Sequence, residues 1–341
     1  MISKIKHNDL LPFSAKDRLK LFFKIKRGNQ LDYPRQYWIE STNECNLRCI
    51  MCPQSIGPER KKKNMDMDVF TRIIDQIYIV KPKIMLHMGG EPLLNKDLFA
   101  MIEYAKKRGC CIGFNTNATL LTEEMSRRIL ESSLDSISFS FDGFTPEIYE
   151  KVRVGARFDR VKSQIEYFLK LRQEMKTKRV FVKIEILEME ETRRQIRDFY
   201  GYWKAKKADI VTAKLAGSWL GLVRPLCQVN VRKYGDRLCR DIFQKCAILA
   251  DGTVVPCCND IKGRLPLGNI MEQSFDEIWN GESYNCLRKR HLENNIPHNI
   301  ICYGCDFRYS RSKSEQITEW FIGNLFWRSH LSKPKRHDVY E

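Results

Sequence analysis

No run of about 18 or more apolar residues occurs anywhere in the 341-residue chain, so no segment has the makings of a bilayer-crossing helix. The N-terminus, MISKIKHNDLLPFSAKDRLK, has neither an apolar core nor a small-residue cleavage site. It does not read as a secretory signal, and a cytoplasmic location is expected. Internal repeats and low-complexity tracts are missing, as are an RNA-recognition motif, a zinc-finger pattern and a long basic tail. Acidic residues are in deficit: 42 Asp and Glu stand against 59 Lys and Arg, a net charge of +17. Such a balance suits an anionic substrate, a nucleic acid or an anionic membrane surface, but equally a solvated basic surface, and by itself identifies no partner.

What the chain does have is cysteine. Thirteen cysteines without a secretion signal point to metal or redox chemistry rather than to a disulfide framework. Apolar and charged contents of 43% and 30% are those of a soluble globular protein.

Along the chain, 14–26 reads as a helix with Ser14 as N-cap, followed by a break at Gly28, Asn29 and Pro34. Strands are then expected at 37–42, 83–88, 111–117, 136–142, 180–187 and 209–215. Helices are expected between them at 66–78, 97–108, 122–132, 157–173 and 191–206. Six strands alternating with helices predict parallel βαβ units in an α/β fold: a partial (β/α)6 TIM-like barrel, which periodicity alone does not separate from a doubly wound sheet. After residue 216 the pattern changes to a small cysteine-rich C-terminal extension, with a hairpin expected at AILADGTVVPC around the Asp251-Gly252 turn. The organisation expected is a basic helical segment (1–35), a core (36–216), a cysteine-rich domain (217–305) and a basic-aromatic tail (306–341).

The first expected strand runs into NECNLRCIMCP, which spaces Cys45, Cys49 and Cys52 by three and two residues. Three thiolates in one loop can bind three irons of a [4Fe–4S] cube and leave the fourth open to a small molecule. A zinc site competes, although structural zinc takes four protein ligands. A thioredoxin-like Cys-x-x-Cys pair is disfavoured by the additional cysteine. The spacing resembles the signature of the radical S-adenosylmethionine (SAM) superfamily. Gly89-Gly90-Glu91-Pro92, after the second strand, resembles that family's Gly-Gly-Glu-Pro motif. Asn115-Thr116-Asn117 resembles its Thr-Asn-Gly, with Ala118 in place of the glycine, and Ser140-Phe141-Asp142-Gly143 its Ser-x-Asp-Gly.

The resemblance implies that Cys45, Cys49 and Cys52 hold a [4Fe–4S] cluster. It further implies that SAM is contacted by Met51, Gly89, Gly90, Glu91, Asn117, Ser140, Arg153 and Ile186, with Arg153 pairing the methionine carboxylate. The implied reaction is reductive cleavage of SAM to a 5′-deoxyadenosyl radical that abstracts a substrate hydrogen, driven by an external one-electron reductant of flavodoxin or ferredoxin type.

Residues 239–305 resemble SPASM and twitch auxiliary-cluster domains, which implies a second [4Fe–4S] cluster on Cys239, Cys257, Cys302 and Cys305. Cys246 and Cys258 are near enough in sequence to replace one of them, and a zinc ribbon is the alternative for the segment. Cys110, Cys111, Cys227 and Cys286 read as buried small hydrophobes. The expected function is oxidation or another modification of a small, sugar- or cyclitol-like substrate with help from the auxiliary cluster. The alternatives are a SPASM-type peptide or protein maturase and a non-catalytic Fe–S carrier. No catalytic acid or base is assigned. Residues 315–331 are amphipathic, suited to packing on the protein's own core or to weak membrane-surface contact.

Overall fold

The computed structural model describes residues 31–56, 60–177, 179–223, 238–303 and 305–306. The helix expected at 14–26 and the amphipathic stretch at 315–331 lie outside them, as does Cys227.

Six parallel strands form where the alternation predicts them: β1 (Gln36–Ile39), β2 (Lys83–Met85), β3 (Cys111–Thr116), β4 (Ser136–Ser140), β5 (Phe181–Glu188) and β6 (Ile210–Leu215). The helices between them are α1 (Met67–Ile77), α2 (Leu98–Lys107), α3 (Glu123–Glu131), α4 (Pro146–Val152), α5 (Phe158–Glu174) and α6 (Ile196–Ala205). Thr122 caps α3 by accepting from the Met125 N–H. Helix α4 was not expected; it starts on Pro146, whose fixed φ suits the first helical turn. Helix α6 is shorter than expected because residues 193–195 form a tighter 3₁₀ turn.

The cysteine-rich segment continues the same sheet. Strands β7 (Lys245–Ile248), β8 (Thr253–Val255) and β9 (Gly268–Asn269) complete the order β6-β5-β4-β3-β2-β1-β7-β8-β9. β7 pairs in parallel with β1, whereas β7–β8 and β8–β9 are antiparallel. The turn between β7 and β8 uses Gly252 at φ +86°, a conformation open to glycine at little cost. Two further helices, α7 (Phe275–Asn280) and α8 (Glu282–Leu292), follow, α7 beginning with a reciprocal Ser274–Glu277 capping box.

Alternation assigns the two faces of the sheet. Ile112, Phe114, Ile137, Phe139, Val182, Ile184 and Ile186 are all buried, and Phe139 meets Phe168 of α5 at 5.2 Å, which identifies the helix-covered face. The opposite face carries Lys83, Asn115, Ser138, Lys183, Glu185 and Lys214. That face is concave. The charges of Lys83 on β2 and Lys214 on β6 interact, whereas a flat sheet would hold strands four steps apart at about 19 Å. Among the described residues nothing pairs β6 with β9, so the barrel is partial and open. Among the described residues no helix is long and apolar enough to cross a membrane.

Candidate functional site

The C-terminal ends of β1 to β5 converge on the three-cysteine loop. Within it, Leu47 and Met51 are buried anchors, and the cysteines are interleaved with them: Cys49 is buried, Cys45 and Cys52 are partly exposed. Backbone bonds from Arg48 N–H to Val154 (2.9 Å) and from Ile50 N–H to Val152 (3.1 Å) fasten the loop to the end of α4. Burial pushes all three thiols up, Cys52 to about 12, and the charges of Cys45 and Cys49 add to the rise at Cys52. The loop therefore gathers three mutually sensing thiols that need a positive partner to ionise.

The Gly-Gly-Glu-Pro segment is clamped onto this loop. A Cβ at Gly90 would lie 2.2 Å from the Thr42 carbonyl oxygen and 2.7 Å from that of Glu44, so only glycine permits the approach. Beside it the Glu91 N–H donates to the Glu44 carbonyl at 2.7 Å. The Glu91 side chain is buried and points back into the protein. Its carboxylate accepts from Thr116 Oγ1 (2.7 Å), Asn117 N–H (2.8 Å) and Leu93 N–H (3.2 Å). Burial raises its pKa despite these donors. Glu91 thus braces the end of β3 against the loop. Gly89 offers its carbonyl to Gln54 Nε2 at 2.9 Å.

Asn117 completes the brace. Its side-chain amide donates to Asn46 Oδ1 (3.0 Å) and lies 3.9 Å from Cys45 Sγ, while its Oδ1 accepts from Thr119. Ala118, where the resemblance has glycine, adopts φ +59°, a strained setting for a residue with a Cβ. Arg153 is buried and paired with Asp142 through Nε (2.8 Å) and a second, shorter contact from Nη2. Burial opposes its charge, but Asp142 and Cys49 outweigh that and hold the guanidinium protonated. Asp142 also accepts from the Leu187 N–H at 2.6 Å, tying β4 to β5. Arg153 therefore stands as a fixed positive charge beside Cys49, with its fork already engaged by an internal carboxylate.

Ser140 ends β4 on the concave side. Met51 is packed into the core, and Ile186 is fully buried on the helix-covered face. Strand alternation turns the Ile186 side chain to that face and presents its neighbour Glu185 to the cleft.

In the C-terminal segment, Cys257 is pushed well up by burial and by the neighbouring Cys258, Cys305 and Cys239. Cys302 and Cys305 are both buried, three residues apart. Cys246 is elsewhere. It lies on the helix-covered side of β7, buried against Tyr284 and Arg288, with its thiol directed to the Ala247 carbonyl. Of the two substitute ligands, the structure brings Cys258 to the group and leaves Cys246 out. Cys110 is buried as expected and Cys111 partly so, but Cys286 is exposed on α8, because its helical position faces solvent. Among the described residues no three Cys, His, Asp or Glu side chains are placed to hold a single metal ion. A four-iron cube takes its ligands at separate corners, a wider arrangement than a single ion needs, and the three thiols of the loop are near enough for each to sense the others' charge.

The concave face holds a charged group that sequence reading missed. Glu185 pairs with Lys183 Nζ (2.6 Å) and Lys214 Nζ (2.9 Å), and it accepts from Asn115 Nδ2 (3.2 Å). Asn115 N–H donates to His87 Nδ1 at 3.2 Å, and burial lowers His87 to about 3, so the ring is neutral. The signal was the alternation in β5, where Lys183 and Glu185 interleave with buried Val182, Ile184 and Ile186.

Comparison with known proteins accords with this geometry. Residues 39–196 match the radical SAM superfamily and residues 239–306 match an iron–sulfur cluster-binding (SPASM) domain. The chain is 26% identical to the tungsten-containing aldehyde ferredoxin oxidoreductase cofactor-modifying protein of Pyrococcus furiosus, over 79% of this chain and 88% of that one. It is 24% identical to the AdoMet-dependent heme synthase of Methanosarcina barkeri, over 84% and 95% respectively. Its fold is similar to Streptococcus suis SuiB bound to precursor peptide SuiA, with a TM-score of 0.65, 16% identity and coverage of 86% of this chain and 74% of that one. The clamped three-thiol loop lies within the first matched segment and the second thiol group within the other, and the chain belongs to the radical SAM superfamily, with a C-terminal SPASM domain.

Proposed function

We propose that the protein cleaves SAM reductively at the Cys45–Cys49–Cys52 loop and uses the cleavage to oxidise or otherwise modify a small polar substrate seated on the concave face. Family membership carries a [4Fe–4S] cluster and SAM at the core, and the SPASM domain carries auxiliary Fe–S chemistry. When bound, these groups supply one-electron cleavage of the S–C5′ bond and hydrogen-atom abstraction, with an external flavodoxin- or ferredoxin-type protein as electron donor.

The chain's own residues fix the geometry. Cys45, Cys49 and Cys52 supply three thiolates; Arg153 supplies positive charge beside Cys49; Glu91 and Asn117 hold the loop against the end of β3. Gly89 and Gly90 bring bare backbone to the lip where the methionine moiety is proposed to sit, with Ser140 on the neighbouring strand end. Cys239, Cys257, Cys302 and Cys305 are the proposed auxiliary ligands, with Cys258 beside them. The observation that carries this reading is the clamp of Gly90 on Thr42 and Glu44, which locks an amino-acid-binding motif to a three-thiol loop. An iron–sulfur carrier has no use for that clamp.

The test is anaerobic reconstitution with iron, sulfide, dithionite and SAM, followed by chromatography for 5′-deoxyadenosine. Wild type is expected to form it, and the Cys45→Ala, Cys49→Ala and Cys52→Ala variants to form none. Cys257→Ala and Cys305→Ala are expected to retain cofactor cleavage. Absence of 5′-deoxyadenosine from the iron-loaded wild type would rule the reading out.

A further inference from the structure

Four lysines line the concave face. Lys83 on β2, Lys183 on β5, Lys214 on β6 and Lys245 on β7 all fall at positions whose alternation turns them to the concave side. Burial lowers the ammonium of Lys83; Cys111 opposes this, and the charges of Lys245 and Lys214 add smaller contributions in the same direction as burial. Burial likewise lowers Lys183 to about 8, even with Glu185 beside it. Glu185 pairs with Lys183 and Lys214, and Asp241 pairs with Lys245 at 2.9 Å. His87 contributes no charge, being neutral. Glu185 and Asp241 thus stand among four lysines on the concave side, and water reaches two of these: the Lys214 side chain is 45% exposed and that of Lys183 26%.

The polar atoms around the lysines are left waiting for a partner. Ser138 is only 3% exposed, and its Oγ has no hydrogen-bond partner; nor has Asn115 Oδ1 on the adjoining strand. Burying such groups without a partner is costly, so structures rarely keep them unless something else satisfies them. Asn115, Ser138 and Lys183 lie side by side in register across β3, β4 and β5. The hollow thus offers fixed cations, a hydroxyl and an amide oxygen in one row.

We propose that this row is the substrate site and that it recognises an anionic group, phosphate or carboxylate, on a substrate that also carries hydroxyl or amine donors. Lys183 and Lys214 grip the anion, with Lys83 and Lys245 adding field from the opposite wall. Ser138 and Asn115 take the neutral polar groups. Glu185 serves as the internal counter-ion that occupies the two gripping lysines and must be displaced when the anion arrives. The proposal rests on the radical reading for the chemistry after binding, but anion recognition itself needs no radical.

The experiment is calorimetric titration of the anaerobically reconstituted holoenzyme with inorganic pyrophosphate, at fixed ionic strength. Saturable binding at one site per chain is expected. Lys183→Met and Lys214→Met should each weaken it about tenfold or more, the loss of one charge-assisted contact. Glu185→Gln should tighten it, since the competing carboxylate charge is gone, an effect no merely structural role would produce. Lys107→Met, on an exposed surface lysine, should leave binding unchanged. No saturable binding by wild type, or an equal loss in Lys107→Met, overturns the proposal. So does displacement of pyrophosphate by saturating SAM, which would assign the lysines to the carboxylate of SAM itself. Production of 5′-deoxyadenosine by the same samples, without substrate, reports separately on the radical reading.

Discussion

Replacing Gly90 by alanine places one methyl group where backbone already stands. Its Cβ would lie 2.2 Å from the Thr42 carbonyl oxygen, 2.8 Å from the carbonyl carbon and 2.7 Å from the Glu44 oxygen. A comfortable C···O contact is about 3.3 Å, so the two segments must part by roughly 1 Å. No side-chain rotation relieves the clash, because every atom met is main chain. Overpacking of this kind costs about 1–3 kcal/mol. The separation also breaks the 2.7 Å bond from Glu91 N–H to Glu44, about 1 kcal/mol more. Gly90→Ala should therefore destabilise the protein by about 2–4 kcal/mol. Gly89→Ala meets the end of Gln54 at 3.3 Å and Ile261 at 3.4 Å, so it should cost less than about 1 kcal/mol. Urea unfolding of the reduced, metal-free protein measures both, and iron content after reconstitution shows whether the loop still assembles its cluster. A Gly90→Ala protein as stable and as iron-rich as wild type would refute the clamp.

Three other outcomes are expected. Arg60 bonds both oxygens of the fully buried Glu40, which also receives the Ala250 N–H, so Arg60→Met strands a carboxylate between β1 and the β7–β8 turn. It should lower the urea-derived stability by about 3–5 kcal/mol, with Glu40→Gln added on top restoring part of the loss; an unaffected single variant would contradict the pairing. His87 refuses a proton in the folded state, being lowered to about 3 by burial, whereas the unfolded chain takes one near pH 6.5. Its contribution is therefore present above pH 6.5 and lost as pH falls, about 2 kcal/mol by pH 5, and His87→Gln should flatten that slope in stability measured against pH. Finally, Cys257→Ser should reduce iron bound per chain, whereas Cys246→Ala should leave it unchanged; equal iron loss from both would place Cys246 among the ligands.

Much of the core was legible because each strand carries a local signature. Expected and observed starts of β2, β3 and β4 coincide, since apolar alternation and flanking turns agree there. Helix α7 escaped notice although Ser274 and Glu277 spell a capping box, because six residues are too few to show helical periodicity. The thiol loop was readable from spacing alone, but the roles of its neighbours were not. Glu91 and Arg153 carry the right chemistry for ligand contacts, yet Thr116, Asn117 and Asp142 engage them from within. Those partners are brought up by packing between strands, which no single segment encodes. The lysine row was hidden for the same reason: Lys83 and Lys214 are 131 positions apart in the chain and meet through the curl of the sheet.

The parallel pairing of β1 with β7 has a consequence for synthesis. β6 ends at residue 215 and β7 at residue 248, so the ribosome must add about 33 residues before β1 acquires its second neighbour. At 5–20 residues per second that is about 2–7 s during which a nascent core carries a bare inner edge, open to pairing with another chain. The SPASM segment is then also a cover for the β1 edge of its own core. Chains truncated after residue 216 should accumulate as aggregates rather than as soluble cores.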